Sequence, residues 1–482
     1  MKTAFRVSLI LAVLLAGCGS RSVRHNRAEM GEAWLAAYIQ DQKVGYSVYR
    51  IDRLGDGYRF ENTVKMTLGM AGKTQRVSSH STVNTGKDLA LRDFEFSFNS
   101  QDRSFSISGV VESGALKITP PGGGKTRSLK LDRAVYPVAA LGKLVTDRKL
   151  SKDSVYRVPV FDASVLDIIT AEVRPLGREK VTAGGKEYDA TKFTTKMAKF
   201  EMTTWVDDKG LVIVETSPPN MKSERTDPKA ALAEGEGTAK FDVLTMFRVP
   251  VDTLIPTDRF MTRLKLELTG IDAKQYELAG PGQRVVSENP LVLDIMTVPP
   301  PPAPVKLPIT GQDEFLKPSV SMQCDDARIK AKAVEAIGNE TDAVKAARKL
   351  LSWVFTVVDK EATASFPTAL DVLEHMRGDC NEHAVFFGAL ARSVGIPTKI
   401  AVGLIYLNGA FYYHAWNEVF LGSWIPVDAT FGEFPASALH LKLAEGDLSQ
   451  QAEILGVVGT IGIKVLGWQT ESDTPVPGLG TK

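Results

Sequence analysis

The first half of the chain is built from short runs in which apolar and polar residues alternate. The alternation is clearest at Phe94, Phe96 and Phe98, and similar runs recur from Trp34 onward. Alternation with period two places every second side chain on one face of a β-strand. Turns rich in Gly, Asp, Asn and Pro separate the runs. The pattern predicts an antiparallel β-rich domain over residues 33–225, arranged as a sheet, a sandwich or an open barrel.

A second, shorter strand-like region follows a charged, glycine-containing stretch. Residues 240–298 resume the β pattern and predict a small β module. Six prolines then fall within residues 299–308. Such a composition favours extended backbone, so we expect a proline-rich linker over residues 299–310.

The apolar spacing changes from two to between three and four beyond this segment. Ala343, Ala346, Leu350 and Val354 lie on or near one face of a helix, and neighbouring stretches predict further amphipathic helices. Three short strands separated by turns come after the helices. Helices followed by a sheet predict an α+β domain over residues 318–445, with a C-terminal extension over 446–482. The fold class predicted for the chain is therefore α+β, with the β-rich region first.

Length and net charge exclude few classes of function. The chain has 482 residues, which favours two or three domains. Its 58 basic and 57 acidic residues almost cancel. Because no strong net field would attract nucleic acid, we expect no nucleic-acid partner.

The amino terminus has the features of an export signal. Lys2 and Arg6 precede an apolar run that is too short to span a bilayer comfortably, and residues 1–17 are predicted to be a signal peptide. The sequence LAGC, residues 15–18, resembles the lipobox of bacterial lipoproteins, which implies a lipid on Cys18. Residues 18–32 would form a polar tether. We expect the protein at the bacterial cell envelope, anchored by lipid and facing the periplasm from the outer membrane. The alternative is an ordinary signal peptide with a chance cysteine.

A lone cysteine stands at the start of a predicted helix. Gly378 and Asp379 form a turn and an N-cap, and residues 381–394 form the helix. The positive end of a helix stabilises a thiolate, which predicts a lowered pKa and a nucleophilic role for Cys380. The alternatives are a buried structural cysteine or a disulfide with Cys324.

Two residues downstream could assist such a nucleophile. His414 lies on a predicted strand, and Asp428 ends the next strand along the chain. A three-residue loop over 420–422 would set these two side chains directly opposite each other. A histidine that acts as a base and a carboxylate that orients it are the partners that a thiol nucleophile requires.

Three motifs carry a resemblance to a known family. GDCNEH (378–383), HAWNE (414–418) and WIPVD (424–428) resemble the bacterial transglutaminase-like superfamily, over roughly residues 320–445. The resemblance implies a papain-like core with Cys380 as nucleophile, His414 as general base and then acid, and Asp428 as the orienting group. It also implies acyl transfer from an amide of a protein or peptide substrate, either to water or to an amine.

The sequence leaves open which groups would stabilise an oxyanion and what the nearby histidines do. The backbone N–H of Cys380 is the first candidate for stabilising an oxyanion, and Trp353 or Asn417 are candidates for a second donor. His383 permits a metal site, but no second pair of ligands is evident, so neither a metal nor a cofactor is predicted. His440 is predicted to be a surface or core-edge residue.

Two classes of function are compatible with the sequence. The first is an envelope-anchored, cysteine-dependent amide hydrolase or acyltransferase that uses a Cys-His-Asp triad. The alternative is a non-catalytic binding or assembly lipoprotein that uses the same fold and its β modules for protein interaction. A third idea, that the β region binds a lipid or another apolar ligand, depends on strand composition alone.

Overall fold

The computed structural model describes residues 28–471 except 71, 101–102, 121–123, 164–165, 198, 219, 234–241, 243–247, 363–366, 447–453, 455–456 and 458. The predicted signal peptide, Cys18 and most of the tether lie outside the described residues. The chain divides into two compact units near residue 243. None of the described helices is long and apolar enough to span a bilayer.

The first unit is dominated by one antiparallel sheet. Its strands are β1 (Ala28–Ile39), β2 (Gln42–Leu54), β3 (Gly57–Met70), β4 (Lys73–Gly86), β5 (Leu91–Ser100), β6 (Arg103–Glu112), β7 (Ala115–Thr119), β8 (Arg127–Lys130), β9 (Tyr136–Pro137), β10 (Tyr156–Asp162), β11 (Asp167–Ala183), β12 (Lys186–Met197), β13 (Phe200–Val206), β14 (Val212–Ser217) and β15 (Met221–Thr226). The helices are α1 (Leu141–Arg148) and α2 (Pro228–Leu232).

Neighbours in this sheet are almost always neighbours in sequence. The strand order among the described residues is β8-β7-β6-β5-β4-β3-β2-β1-β15-β14-β13-β12-β11-β10-β9. The exception lies at the centre, where β1 pairs with β15 and Trp34 stands opposite Thr226. The inward faces of both wings share one core, in which the rings of Phe94 on β5 and Phe161 on β10 lie 4.6 Å apart. The alternating pattern in the sequence is therefore the alternation between this core and the outer face.

The second unit contains the strands and helices that build the candidate site. Its strands are β16 (Val249–Pro250), β17 (Met261–Thr269), β18 (Gln283–Glu288), β19 (Leu291–Met296), β20 (Asp359–Lys360), β21 (Arg377–Gly378), β22 (Thr398–Leu407), β23 (Ala410–Phe420), β24 (Trp424–Val427), β25 (His440–Glu445) and β26 (Gly462–Thr470). Its helices are α3 (Ala327–Ile337), α4 (Ala343–Val357), α5 (Ala369–His375) and α6 (Cys380–Ser393).

Helix α6 is the centre of this unit. It packs against α3, α4 and α5 on one side and against β22 and β23 on the other. Its side chains from Cys380 to Ala391 are all buried. Gly388 lets the sheet come close, because a Cβ at this position would lie 3.3 Å from Asn417 Nδ2 and 2.7 Å from the sulfur of Met322. The arrangement of helices against a mainly antiparallel sheet is the α+β fold that the sequence predicts.

The predicted linker and the segments on either side of it are integral to this unit. Strands β17, β18 and β19 share a four-stranded sheet with β26, which joins the predicted β module to the predicted C-terminal extension. The proline-rich segment itself is tied down, since Leu307 N donates to Thr341 O and Ile309 N donates to Gly395 O, both at 2.9 Å. The division of the chain thus falls near residue 243, and residues 299–310 are not a spacer between separate bodies.

Candidate active site

A capping box fixes where α6 begins. Asp379 Oδ1 accepts a hydrogen bond from the backbone N–H of Asn381, and Glu382 Oε2 accepts one from the backbone N–H of Asp379, both at 2.9 Å. Reciprocal bonds of this kind satisfy two helix N–H groups that have no intrahelical acceptor. They make Cys380 the first residue of the helix, where the sequence analysis expected it within one residue.

His414 and Asp428 form a direct buried pair. Nε2 of His414 lies 2.7 Å from Oδ2 of Asp428, and both side chains are at most 1% exposed. A carboxylate accepts, so Nε2 of His414 is the protonated nitrogen and Nδ1 is left as the basic one. The ring of Trp416 stacks on that of His414, which agrees with the alternation along β23.

The predicted register of this hairpin is wrong by two positions. Phe420 pairs with Trp424, so the loop covers residues 421–423 rather than 420–422. Extending that register places Asp428 level with Trp416, which is two residues along β23 from His414. A shift by two keeps a side chain on the same face, and diagonal neighbours remain within reach of long side chains. The two residues therefore meet diagonally and not directly across.

A second histidine binds the same carboxylate, and the sequence analysis missed it. His440, predicted at the surface or core edge, is 4% exposed, and its Nε2 lies 2.9 Å from Asp428 Oδ2. Its Nδ1 lies 3.0 Å from the carbonyl oxygen of Ser437. Both ring nitrogens thus face acceptors, and only the imidazolium donates from both. Burial alone would lower the pKa of His440, but the hydrogen bond to Asp428 and the charge of Glu433 raise it above its ordinary value.

The charge of Asp428 is stabilised from all sides. Its Oδ1 accepts from the backbone N–H groups of Thr430, at 2.7 Å, and Phe431, at 3.3 Å. Burial alone would raise the pKa of this carboxyl, but the charges of His414 and His440 and their hydrogen bonds hold it well below its usual range. Asp428 is therefore an ionised acceptor for four donors.

The thiol of Cys380 is not poised as a thiolate in this structure, contrary to the sequence-based expectation. The side chain is 2% exposed. Burial and the negative charge of Asp379 raise the pKa of Cys380 well above its ordinary value, and the backbone N–H of Ala415 opposes this only in part. The favourable helix end is outweighed by the burial of the thiol and, to a smaller extent, by the carboxylate of Asp379, which also caps the helix.

The structure brings the three predicted site residues to one place, but not into one hydrogen-bonded chain. Cys380 contacts the strand at Ala415, the residue next to His414. The hydrogen bonds of the described residues include none between the Cys380 thiol and the His414 ring. Catalytic hydrogen bonds are often formed only once a substrate is bound.

Two further residues lock α6 onto β23. The hydroxyl of Tyr413 donates to Asn381 Oδ1 at 3.2 Å, and Asn417 Nδ2 donates to Ala384 O at 3.0 Å and to Lys399 O at 3.2 Å. Asn417 is thus committed to two carbonyl groups, which argues against its predicted candidacy as an oxyanion donor. Trp353, the other candidate, contacts Phe386 with its ring.

Cys324 is not joined to Cys380 by a disulfide. Its thiol donates to the carbonyl oxygen of Leu316 at 3.4 Å. The alternative in which Cys380 has a structural partner therefore does not apply to this structure.

A buried ion-pair network stands beside the histidines. Lys442 Nζ lies 2.9 Å from Glu418 Oε1 and 2.7 Å from Glu445 Oε2. Glu418 is 1% exposed, and burial raises its pKa. The ion pair between Lys442 on β25 and Glu418 on β23 links these strands across β22, which helps to keep His440 at the site.

One group of side chains has the composition of a metal site. The ligand atoms of His414, Asp428 and His440 all lie within 4.8 Å of one another. The Nε2 atoms of both histidines already donate to Asp428. His440 faces acceptors with both ring nitrogens and is therefore protonated, and a protonated histidine cannot ligate a metal. Of the predicted metal candidates, His383 is buried with Nδ1 2.6 Å from Asp379 O. We therefore interpret His414, Asp428 and His440 as a hydrogen-bonded network in which both histidines donate to the carboxylate.

Comparison with known proteins finds one family-model match within each unit. Residues 330–429 match the model of the transglutaminase-like superfamily, and residues 36–216 match that of a domain of unknown function, DUF6134. No curated protein matches the chain.

Several solved structures are similar in part. One is described as a "Putative Cysteine Protease" from Cytophaga hutchinsonii, with 17% identity and a TM-score of 0.30, covering 46% of this chain and 90% of that one. Another is the periplasmic domain of TgpA from Pseudomonas aeruginosa, bound to ethylmercury, with 14% identity and a TM-score of 0.26, covering 39% and 90%. A third is a β-barrel-like protein of DUF1849 from Brucella abortus, with 14% identity and a TM-score of 0.34, covering 41% and 95%. The family match falls on the helices and strands that carry Cys380, His414 and Asp428, and residues 330–429 thus form a transglutaminase-like domain within an α+β chain.

Proposed function

We propose that the chain is a cysteine-dependent acyl-transfer enzyme acting on an amide of a protein or peptide, with Cys380 as nucleophile, His414 as general base and then acid, and Asp428 as the orienting group. The observation that carries the proposal is the buried bond between His414 Nε2 and Asp428 Oδ2, on a strand packed against the residue that begins α6. This bond leaves the lone pair on Nδ1, and a triad transfers protons through the ring nitrogen that is not bonded to the acid.

The reaction balances with these groups alone. His414 Nδ1 takes the proton of the Cys380 thiol as sulfur attacks the amide carbonyl. The first N–H of α6 is available to the oxyanion, because helix geometry leaves it without an intrahelical acceptor. The carbon–nitrogen bond breaks, and the imidazolium returns the proton to the leaving amine. Water or an amine then attacks the thioester, passes its proton to His414, and releases the thiol.

General-base removal of the proton matters here because the resting thiol is largely protonated. Burial raises the pKa of Cys380, so a thiolate would be scarce at neutral pH without a base. Asp428 assists by stabilising the imidazolium that forms on His414.

The test is covalent trapping on the predicted nucleophile. A thiol-directed activity probe is applied to the wild-type chain, to Cys380→Ser, and to Cys324→Ser as the matched control, followed by mass spectrometry of the acyl group retained. We expect labelling of wild type and Cys324→Ser and none of Cys380→Ser. Equal labelling of the two serine variants would reject the nucleophile. If a cellular phenotype survives Cys380→Ser but not deletion of residues 30–298, the non-catalytic binding role replaces this proposal.

We also propose that the protein is a lipoprotein of the bacterial envelope, anchored through Cys18 and facing the periplasm. The support is the LAGC sequence at residues 15–18 behind a short apolar segment. Cys18→Ser should abolish incorporation of labelled palmitate and release the protein from the membrane fraction. Labelled palmitate retained by the variant would count against the anchor.

A further inference from the structure

The first unit contains a partly open cavity of about 180 Å³ between the two wings of its sheet. Inward-facing residues of β1, β3, β12 and β13 form much of its apolar wall, among them Leu35, Val64, Phe193 and Met202. An apolar cavity of about 150 Å³ is large enough to hold benzene. This one therefore has room for a molecule of about the size of a substituted benzene ring.

A row of polar side chains crosses the same wall. Thr204, Glu215 and Ser223 are directly paired across β13, β14 and β15, and all three line the cavity. Thr195 and Asn62 line it from β12 and β3. Burying such groups in a core costs free energy unless they are hydrogen-bonded. Packing of the core alone therefore does not explain why polar residues occupy these positions.

Part of this polar row lacks partners. Thr195 is 1% exposed, and within the described part of the chain neither its hydroxyl nor Asn62 Oδ1 has a hydrogen-bond partner. The carboxyl of Glu215 accepts a bond from the Thr204 hydroxyl at 3.1 Å, and burial raises its pKa. No lysine or arginine is among the described residues that line the cavity. The wall thus offers carboxyl and amide oxygens as acceptors, hydroxyl groups that donate or accept, and no cation that could pair with an anionic ligand.

We propose that this cavity binds a small, mainly apolar molecule whose amine or hydroxyl head donates hydrogen bonds to Glu215. The apolar body lies against the aliphatic and aromatic wall, where its burial stabilises the complex. The head donates hydrogen bonds to oxygen atoms of Glu215, Asn62 and Thr195, of which the last two lack partners within the described residues. A carboxylate head is rejected, because it would face the acid without a counter-charge. All of these residues lie between 35 and 223, outside the transglutaminase-like domain, so the inference is independent of the proposed acyl transfer.

The experiment compares three probes that share a ring and an ethyl group. 4-Ethylaniline, 4-ethylphenol and 4-ethylbenzoate are each titrated into the purified full chain by isothermal titration calorimetry at neutral pH. We expect saturable one-to-one binding of the aniline or the phenol, and at least tenfold weaker binding of the benzoate. The tighter of the first two identifies the head as amine or hydroxyl. Equal binding of all three, or binding of none, as in a cavity that holds only water, would overturn the proposal.

Variants tie the binding to the cavity. Glu215→Gln replaces one acceptor oxygen by a donor and should weaken the best probe at least tenfold. Glu201→Gln is the matched control, because Glu201 lies on β13 with its side chain on the exposed face. Thr195→Val keeps the shape and serves as a second cavity variant if Glu215→Gln fails to fold, which its thermal unfolding curve reports. Unchanged affinity in both cavity variants would refute the site.

Discussion

Replacing Asp428 by asparagine tests the centre of the proposed site. The change keeps the oxygen that accepts from Thr430 and Phe431 but puts an NH₂ group against the two histidines. Two hydrogen bonds to a charged group are lost, from His414 and His440. At about 1.5–3 kcal/mol each, the cost is about 3–6 kcal/mol of unfolding free energy. For a unit of this size, that lowers the melting temperature by roughly 6–24 °C.

The same replacement should also change which ring nitrogen of His414 carries the proton. The amide at position 428 donates to Nε2, so the neutral ring carries its proton on Nδ1 and can no longer act as the base. A reversal of this kind lowers the rate by about 10⁴-fold in the serine-protease triad. The assay is the rate of acylation of Cys380 by p-nitrophenyl acetate, measured with circular dichroism at a temperature where the variant is folded. A folded Asp428→Asn protein that acylates within threefold of the wild-type rate would refute the assignment of His414 as base.

The stability difference between wild type and Asp428→Asn should depend on pH in a defined way. The pKa of Asp428 is lowered by folding, so its contribution is present above about pH 3.9 and is lost as the pH falls. The pKa of His440 is raised, so its contribution is complete below about pH 6.5 and is lost as the pH rises through the folded-state pKa. The gap in melting temperature should therefore be largest between about pH 4 and 6.5 and should narrow as the pH rises through the folded-state pKa of His440.

Three further predictions concern the surroundings of the site. Asp379→Asn keeps the helix cap but removes a charge that raises the pKa of Cys380, so the pH midpoint of its alkylation by iodoacetamide should fall, while Asp342→Asn, at the cap of α4, should leave it unchanged. Lys442→Met leaves Glu418 as a buried acid without its cation, which should cost about 3–5 kcal/mol in urea unfolding, and adding Glu418→Met should recover most of that loss. Chelation by EDTA should leave acylation unchanged, because the histidines hold protons; a loss that Zn²⁺ restores would contradict this.

Local signals in the sequence were sufficient to predict the α+β class and the start of α6. The cap residue Asp379, the acid three positions later and the apolar run behind them all lie within one short segment, and the structure places the helix start there. The contact between His414 and Asp428 was expected, although the register behind it was not. Gly422 has a left-handed φ of 94°, as a tight loop requires, but this does not determine which neighbours complete the loop.

The features that the sequence did not predict depend on burial and on pairing between strands that are distant in sequence. His440 reaches the site because β25 pairs with β22, with His440 opposite Ile405, a contact that no local pattern encodes. The raised pKa of Cys380 has the same origin, since a helix start favours a thiolate only if the thiol remains solvated. The cavity and its polar row likewise could not be predicted from local patterns, because their residues come from both wings of the sheet.

The pairing of β1 with β15 has a consequence for how the first unit folds. Every other neighbour in the sheet is close in sequence, and all of these pairs except the parallel pair β9–β10 can form as hairpins. The central seam instead joins Trp34 to Thr226. A pairing across so many residues forms late in folding, because the entropic cost of closing the loop must be met before the contact is made, so β1 lacks this partner for an interval. During that interval β1 presents an unpaired edge, which is a template for aggregation. Closure of this seam should therefore be the slow, chaperone-sensitive step in making the protein.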